Sequence, residues 1–145
     1  MTDKPFALEQ FLPYLLNLAA EECGRGFQAV YKSRYGMLRT EWRVLFHLGL
    51  HGEMTARDIS MRARTHKTKI SRAVAALELK RFLKRDRSTR DRRHEVLRLT
   101  SAGEAAFDDL SATASAFDAK LVARLAPDHA SILRECLTNL IETSA

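Results

Sequence analysis

The residues best suited to binding chemistry lie between Arg57 and Arg98, where basic side chains are concentrated. Of the 24 Lys/Arg and 18 Asp/Glu in the 145-residue chain, this stretch carries 15 and 5, so the remainder is mildly acidic. Lys and Arg side chains that neutralise phosphates release condensed counterions from a nucleic acid. The stretch therefore predicts a polyanion-binding surface, and duplex DNA is the expected polyanion.

A helix, a tight turn and a second helix are predicted to position the first part of this surface. The segment from Thr55 to Asp58 has the form of a capping box with Asp in place of Glu, and it opens a short helix. The turn at Arg64, Thr65 and His66 leads into a helix from about residue 67 to residue 80. The apolar side of this helix is expected to consist of Ile70, Ala73, Val74 and Leu77.

The opposite side of that second helix suits contact with DNA. It carries small side chains and one arginine, namely Thr68, Ser71, Arg72 and Ala75. A helix anchored by an apolar stripe, with slim polar groups on its other side, can enter a major groove. Two short extended segments follow at residues 82–85 and 95–99, and the loop between them is too charged to be core. Together these elements predict a winged helix-turn-helix.

Helices are also predicted on both sides of this unit, which makes the fold class mainly α with a minor β component. The first ends near Gly36, and a second starts with Thr40 as N-cap, buries Trp42, Leu45, Phe46 and Gly49, and ends at Gly52. After Thr100 a long helix runs to a break at Pro127 and Asp128, and a final helix follows. The terminal helices have apolar stripes that a small winged domain cannot cover, so they are expected to pack on each other and on a second copy of the chain.

The motifs in this order resemble those of the multiple-antibiotic-resistance regulator (MarR) family. The resemblance covers residues 15–141 and rests on Trp42 to Leu45, Asp58 to Ser60, Lys67 to Arg72, Leu77 and Glu78, Asp91 to Arg93, and Leu97-x-Leu-Thr100-x-x-Gly103. It implies a homodimeric winged-helix regulator of transcription whose terminal helices form the dimer interface. Expected domains are residues 1–36 and 101–145 for dimerisation and residues 37–100 for DNA binding.

The resemblance also implies roles for individual residues. The groove-reading and phosphate-contacting positions of the recognition helix correspond to His66, Lys67, Thr68, Lys69, Ser71 and Arg72. Wing arginines that reach the minor groove correspond to Arg87, Arg90, Arg92 and Arg93, with Asp91 as the acidic residue that organises the wing. The turn departs from the family pattern, because Arg64, Thr65 and His66 stand where many members have Gly and then Asn or Asp, so the cap of the recognition helix stays open.

Other chemistry-bearing residues favour structural roles. Cys23 and Cys136 are too far apart for a metal clip, and Cys23 is expected to be a buried, inert thiol rather than a redox sensor. His47 and His51 are spaced i, i+4, but no third metal ligand is evident, so no metal and no cofactor are expected. An effector pocket and plain core packing are both open interpretations of four aromatic residues, Tyr31, Tyr35, Trp42 and Phe46.

The sequence thus favours a cytoplasmic, sequence-specific transcription regulator, a homodimeric repressor that binds a pseudo-palindrome in double-stranded DNA. A small-molecule effector is left open as a further partner, and no membrane partner is expected. The chief alternative is a nonspecific architectural DNA-binding protein. An enzyme is disfavoured because the chain has no phosphate-binding glycine loop, HExxH motif or nucleophilic triad. A winged helix that binds only proteins is disfavoured by the basic stretch.

Overall fold

The computed structural model describes residues 4–86 and 94–143. A short 3-10 turn at Leu8–Gln10 is followed by two helices, α1 (Leu12–Tyr35) and α2 (Arg39–His51). Strand β1 (Met54–Thr55) then precedes α3 (Ala56–Ala63) and α4 (Lys67–Leu79). Strands β2 (Leu83–Arg85) and β3 (Val96–Leu99) come next, and the chain continues in α5 (Ser101–Ala123) and α6 (His129–Thr143). The predicted winged helix-turn-helix with terminal helices is confirmed.

Helix α1 ends as predicted and α2 does not begin as predicted. Gly36 adopts a left-handed conformation with φ of 62°, which closes α1. The N-cap of α2 is Leu38 and not Thr40, which lies inside the first turn. The Glu41 side chain reaches back to accept a hydrogen bond from the Leu38 backbone N–H at 2.8 Å, which is the half of a capping box that the third helical residue provides.

The buried face of α2 is rotated from the predicted one. Its most deeply buried residues are Glu41, Val44, Leu45 and Leu48, and of the predicted set only Leu45 is among them. Trp42, Phe46 and Gly49 are half-buried. Phe46 and Gly49 face α5, where a Cβ added to Gly49 would lie 2.4 Å from the Phe107 ring. Phe46 and Gly49 thus form a contact between α2 and α5 and do not lie at the centre of the core.

The sheet has three strands in the order β1-β3-β2, all antiparallel. Residues 83–85 and 96–99 form the predicted hairpin strands, in the register Leu83 to Leu99 and Arg85 to Leu97. Strand β1 was not predicted, because two residues are too few to show an alternating pattern. It pairs Met54 with Leu97, so the strand that leaves the wing also lies against the start of α3.

The core lies mainly within the winged helix-turn-helix, where side chains of α2, α3, α4 and the sheet meet. The predicted apolar stripe of α4 is confirmed as buried, with relative exposures between 0% and 4% for Ile70, Ala73, Val74 and Leu77. From outside this unit, Tyr31 of α1 and Ala106 and Leu110 of α5 complete the buried cluster. The two long helices are therefore attached to the winged domain at the end of α1 and the beginning of α5.

The outer parts of the terminal helices are covered much less. Large apolar side chains are exposed at Phe6, Leu8, Phe11, Leu12, Leu15, Leu16, Leu18, Leu125, Ile132, Leu133, Leu140 and Ile141. In the part of the chain that the structure describes, no helix combines the length and the apolar character needed to cross a membrane.

Candidate nucleic-acid interface

The helix-turn-helix is built by local capping at both ends of α3. Thr55 Oγ1 accepts from the Asp58 backbone N–H at 3.1 Å, and the Asp58 carboxylate accepts from the Thr55 N–H at 3.3 Å, so the predicted capping box is confirmed. At the other end Arg64 adopts φ of 48°, a conformation that closes the helix but favours glycine. The Ser60 hydroxyl donates to the Thr65 carbonyl at 2.6 Å and holds the turn against α3.

His66 is the N-cap of α4, which identifies the cap that the sequence left open. Its Nδ1 accepts from the Thr68 backbone N–H at 3.1 Å. Because Nδ1 acts as the acceptor, the neutral ring must carry its proton on Nε2. His66 is exposed together with Lys67, Thr68 and Lys69, so the first turn of α4 presents a short basic surface to solvent.

Helix α4 separates its two faces as the sequence predicts. Thr68, Ser71, Arg72 and Ala75 are all exposed, opposite the buried stripe. The structure thus brings His66, Lys67, Thr68, Lys69, Ser71 and Arg72 together along the first half of one exposed helix. Such a surface can donate hydrogen bonds to phosphates and to base edges.

Lys80 and Arg85, which also belong to the basic stretch, form contacts within the fold. Lys80 follows α4, and its Nζ donates to the carboxylate of Glu41 and, at 2.7 Å, to the Gly36 carbonyl. Arg85 of β2 lies between two carboxylates, with Nε 3.3 Å from Glu78 and Nη1 3.6 Å from Glu95. Charge counting in the sequence could not separate these two side chains from those that face solvent.

The base of the wing is held by the motif that ends at Gly103. The Thr100 hydroxyl donates to the Arg81 carbonyl at 2.7 Å and accepts from the Gly103 N–H at 3.0 Å, while the Thr100 N–H donates to the Phe82 carbonyl at 3.0 Å. A Cβ at Gly103 would lie 2.0 Å from the Phe82 carbonyl oxygen, so only glycine fits. The predicted wing residues, Arg87, Arg90, Asp91, Arg92 and Arg93, lie outside the described residues. Arg98 is exposed and lies 3.7 Å from Glu53.

The cysteines and the histidine pair have distinct environments. Cys23 is exposed and not buried as predicted, because α1 turns this face away from the rest of the chain; Cys136 is exposed too. The rings of His47 and His51 lie 6.1 Å apart, and His47 Nδ1 donates to the Arg43 carbonyl at 2.6 Å. Among the residues that the structure describes, no three His, Cys, Asp or Glu side chains are grouped to hold a metal ion.

The four aromatic residues considered for an effector pocket do not line one common cleft. Trp42 and Phe46 line an open cleft of about 340 Å³ between α2 and α3. Tyr31, at 2% exposure, borders a second cleft with Trp42 on the side of α1. Tyr35 lies at the end of α1, with its ring 5.8 Å from that of Phe82.

Tyr35 also takes part in a polar cluster that joins α1 to α5. Its hydroxyl donates to Asp109 at 2.6 Å, and Arg34 Nη1 donates to both oxygens of the same carboxylate at 3.0 and 3.1 Å. Burial raises the pKa of Tyr35, and the hydrogen bond to Asp109 raises it further. The Tyr35 hydroxyl, followed by the Arg34 guanidinium, lowers the pKa of Asp109. The carboxylate is thus held in its charged form at the junction of the two helices.

Comparison with known proteins agrees with this geometry. The family model described as the MarR family matches residues 35–94, from the end of α1 to the wing. A MarR family transcriptional regulator from Silicibacter pomeroyi is 25% identical, with a TM-score of 0.81 over 95% of this chain and 98% of that one. The chain is thus similar to the MarR family over its winged helix-turn-helix, and it shares the fold of a MarR regulator over nearly its whole length. MarR proteins are DNA-binding regulators of transcription and not enzymes.

Other solved MarR structures share the fold at lower identity. A MarR/EmrR family regulator from an Acinetobacter species is 22% identical, with a TM-score of 0.78 over 96% of this chain and all of that one. BpsR of Bordetella bronchiseptica is 17% identical, with a TM-score of 0.85 over 97% of this chain and all of that one. Its structure is described as a mechanism for regulation of DNA binding by 6-hydroxynicotinic acid. No curated protein sequence matches the chain.

Proposed function

We propose that this protein is a MarR-type regulator, a homodimeric, sequence-specific repressor that binds a pseudo-palindromic DNA site. The observation that carries the proposal is the division of α4 into a buried apolar stripe and an exposed stripe of small polar and basic side chains. On a two-fold dimer, two such helices reach successive major grooves when they lie about one helical turn of DNA apart, roughly 34–36 Å. The exposed apolar rows of the terminal helices supply a surface for that dimer. Residues 1–36 and 101–145 are accordingly assigned to dimerisation, and residues 37–100 to DNA binding.

Within the interface, the exposed residues divide into two roles. Arg72 lies at the middle of the exposed face of α4, where a guanidinium can bind a guanine through two hydrogen bonds. Lys67 and Lys69 lie in the first turn and are assigned to phosphates, with His66, Thr68 and Ser71 beside them. Arg87, Arg90, Arg92 and Arg93 are assigned to the minor groove on the family resemblance, with Asp91 as their organiser.

The experiment that tests this proposal is fluorescence-anisotropy titration of duplex DNA from the region upstream of the protein's own gene, beside a scrambled duplex. A specific regulator binds the first duplex at two chains per site and the second at least about 1,000-fold more weakly. Equal binding of the wild-type protein to both duplexes, and to fragments selected from the whole genome, would establish the architectural alternative instead. Repression is then read from a reporter fused to the bound region, because a repressor lowers and an activator raises its transcription.

Variants of two basic residues sharpen the test. Arg72→Ala is expected to cost about 1–3 kcal/mol on the specific duplex and to relax the preference at one base pair. Lys69→Ala is the matched control on the same helix, because loss of a phosphate contact weakens specific and scrambled duplexes alike. Equal loss on both duplexes for Arg72→Ala would contradict its role in reading bases. Arg93→Ala is expected to behave like the lysine variant and weaken binding to many sequences.

A small-molecule effector is favoured by the cleft between α2 and α3. Trp42, Phe46 and Leu50 provide apolar surface, and Arg43, His47, His51 and Arg62 surround it with groups that can carry positive charge. A planar aromatic acid suits this lining. The test is release of labelled DNA by a panel of aromatic acids that includes 6-hydroxynicotinic acid. A Trp42→Ala variant that still binds DNA should lose the response, and release that persists in this variant would remove the cleft from the proposal.

A further inference from the structure

We propose that Lys80 and Glu41 form a positioning pair that fixes the orientation of the recognition helix α4 relative to the end of α1. Neither residue is assigned a contact with DNA. The inference rests on the proposed function only in that α4 is the helix that enters the groove.

The carboxylate of Glu41 is buried, and both of its oxygens accept hydrogen bonds. Its side chain is 4% exposed, and each oxygen has a separate partner. Oε2 accepts from the Leu38 N–H at 2.8 Å, which caps α2, and Oε1 accepts from Lys80 Nζ. A carboxylate without such partners would be costly to bury, because desolvation opposes the charged form.

The ammonium group of Lys80 joins three parts of the fold at one point. Besides Glu41 at the start of α2, it donates at 2.7 Å to the carbonyl of Gly36, the left-handed residue that closes α1. Lys80 is itself the C-cap residue of α4. The end of α1, the beginning of α2 and the end of α4 are therefore linked by a single side chain.

The position of the link determines what it controls. Helix α4 has 13 residues, so its ends lie about 20 Å apart. The turn and the His66 cap hold the first end, and the Lys80 link holds the second end. With one end fixed, the position of the other sets the tilt of the helix and thus the direction of Arg72 and Ser71. Because the Glu41 carboxylate is buried, its pairing with the partly exposed Lys80 favours one packing arrangement over others.

The binding experiment compares Lys80→Met with Lys69→Met, a solvent-facing lysine on the same helix. Lys80→Met is expected to lower affinity for the specific duplex about tenfold, to leave the scrambled duplex unaffected and to keep the salt dependence of wild type. Lys69→Met should lower the slope of log affinity against log salt by about 1, because one phosphate contact is lost. Lys80→Arg should recover most of the affinity, because a guanidinium can donate to both acceptors.

Amide hydrogen exchange of the DNA-free protein tests the link without reference to any operator. Lys80→Met is expected to increase exchange about tenfold at residues 36–38 and in the last turn of α4, and to leave the first turn unchanged. Glu41→Gln, which keeps an acceptor for Leu38, should have the same effect and replaces Lys80→Met if that variant does not fold. Unchanged exchange in these segments, or a salt slope lowered as in Lys69→Met, would overturn the inference. Equal wild-type binding to specific and scrambled duplexes would instead count against the proposed regulator, and the exchange result would still decide the role of Lys80.

Discussion

The winged helix-turn-helix and the outer parts of the terminal helices differ in the solvent exposure of their apolar side chains. Residues 37–100 supply most of the buried cluster, including Leu45, Ile59 and Leu77 at 0% exposure. The start of α1 and the whole of α6 instead leave large apolar side chains in solvent, such as Leu12 at 62% and Ile132 at 54%. The first region is thus a core complete within one chain, whereas the second has the composition of a core and lacks a covering surface. This difference is the physical basis for proposing a dimer.

The largest expected effect comes from placing a charge on the uncovered helices. Leu133→Glu in α6 should convert the dimer to a monomer at micromolar concentration, because a buried, unpaired carboxylate opposes association. Light scattering after gel filtration measures the change in mass, and DNA affinity should fall about 100-fold as one half-site contact is lost. Leu79→Glu is the control, since Leu79 is even more exposed, at 85%, but lies on the winged domain. A Leu133→Glu protein that remains dimeric would remove α6 from the interface.

The next largest effect should come from adding one methyl group where α5 packs tightly against the base of the wing. Gly103→Ala is expected to lower the free energy of unfolding by about 3 kcal/mol, because the new Cβ would overlap the Phe82 carbonyl. Gly24→Ala in α1 is the matched change in open space, where no atom of the chain lies within 4 Å of the new Cβ. It should stabilise the helix by about 1 kcal/mol. Denaturant titration measures both, and a loss of stability at Gly24 would show that a second chain packs there.

A smaller effect is expected at residues of the winged helix-turn-helix that have a positive φ without being glycine. Arg81 follows α4 with φ of 65°, a conformation that costs a non-glycine residue about 1–2 kcal/mol. Arg81→Gly should therefore raise the unfolding free energy by about 1 kcal/mol, measured by denaturant titration. Arg64→Gly relieves a similar conformation but also removes the 2.7 Å hydrogen bond from Arg64 Nη1 to the Ile141 carbonyl, so it should gain less. An equal gain in both variants would show that this contact between the turn and α6 contributes no stability.

The smallest predicted effect is a pH dependence at the junction of the two regions. The raised pKa of Tyr35 means that its contribution to stability is complete below about pH 10 and is lost as pH rises through the pKa of the folded protein. The lowered pKa of Asp109 means that its contribution is present above about pH 4 and is lost on acidification.

Thermal unfolding across pH checks both limbs of this dependence. Tyr35→Phe should flatten the alkaline limb. Asp109→Asn should flatten the acid limb, because the amide keeps one acceptor oxygen for Arg34 or Tyr35 but cannot carry the negative charge. Tyr14→Phe on the first turn of α1 is a control for the loss of a hydroxyl. An alkaline limb that is identical in Tyr35→Phe and wild type would show that the hydroxyl of Tyr35 does not couple the helices.

The same division explains what could be read from the sequence. Periodic apolar residues predicted α1, α3, α4, α5 and α6, because each of these helices has a clear stripe or a clear stop signal. The predicted buried face of α2 was wrong. Trp42 and Phe46 are the largest apolar residues of this helix and suggested the buried side, although Val44 and Leu48 lie deeper. Strand β1 depends on pairing with β3, which is distant in the sequence, so local patterns do not encode it. The capping role of Glu41 was missed because Thr40 was predicted as the N-cap of α2 in place of Leu38.

For the interface, residue type and spacing predicted the exposed face of α4 correctly. They could not show that Lys80 and Arg85 pair with carboxylates of the same chain, because Glu41 and Glu95 are brought to them only by the tertiary fold. Cys23 was expected in the interior because free cysteines usually are, and the exposed face of α1 makes that expectation wrong for the single chain. The wing arginines remain a prediction.

The separation of the two faces of α4 has a consequence for how this protein diversifies. The buried face of the helix packs into the core through Ile70, Ala73, Val74 and Leu77. The exposed face, with Thr68, Ser71 and Arg72, makes no contribution to the core. After gene duplication, the exposed positions can therefore drift to a new operator while the copy remains folded throughout. Such a scaffold lets a genome acquire new regulatory circuits one substitution at a time, without passing through a chain that cannot fold.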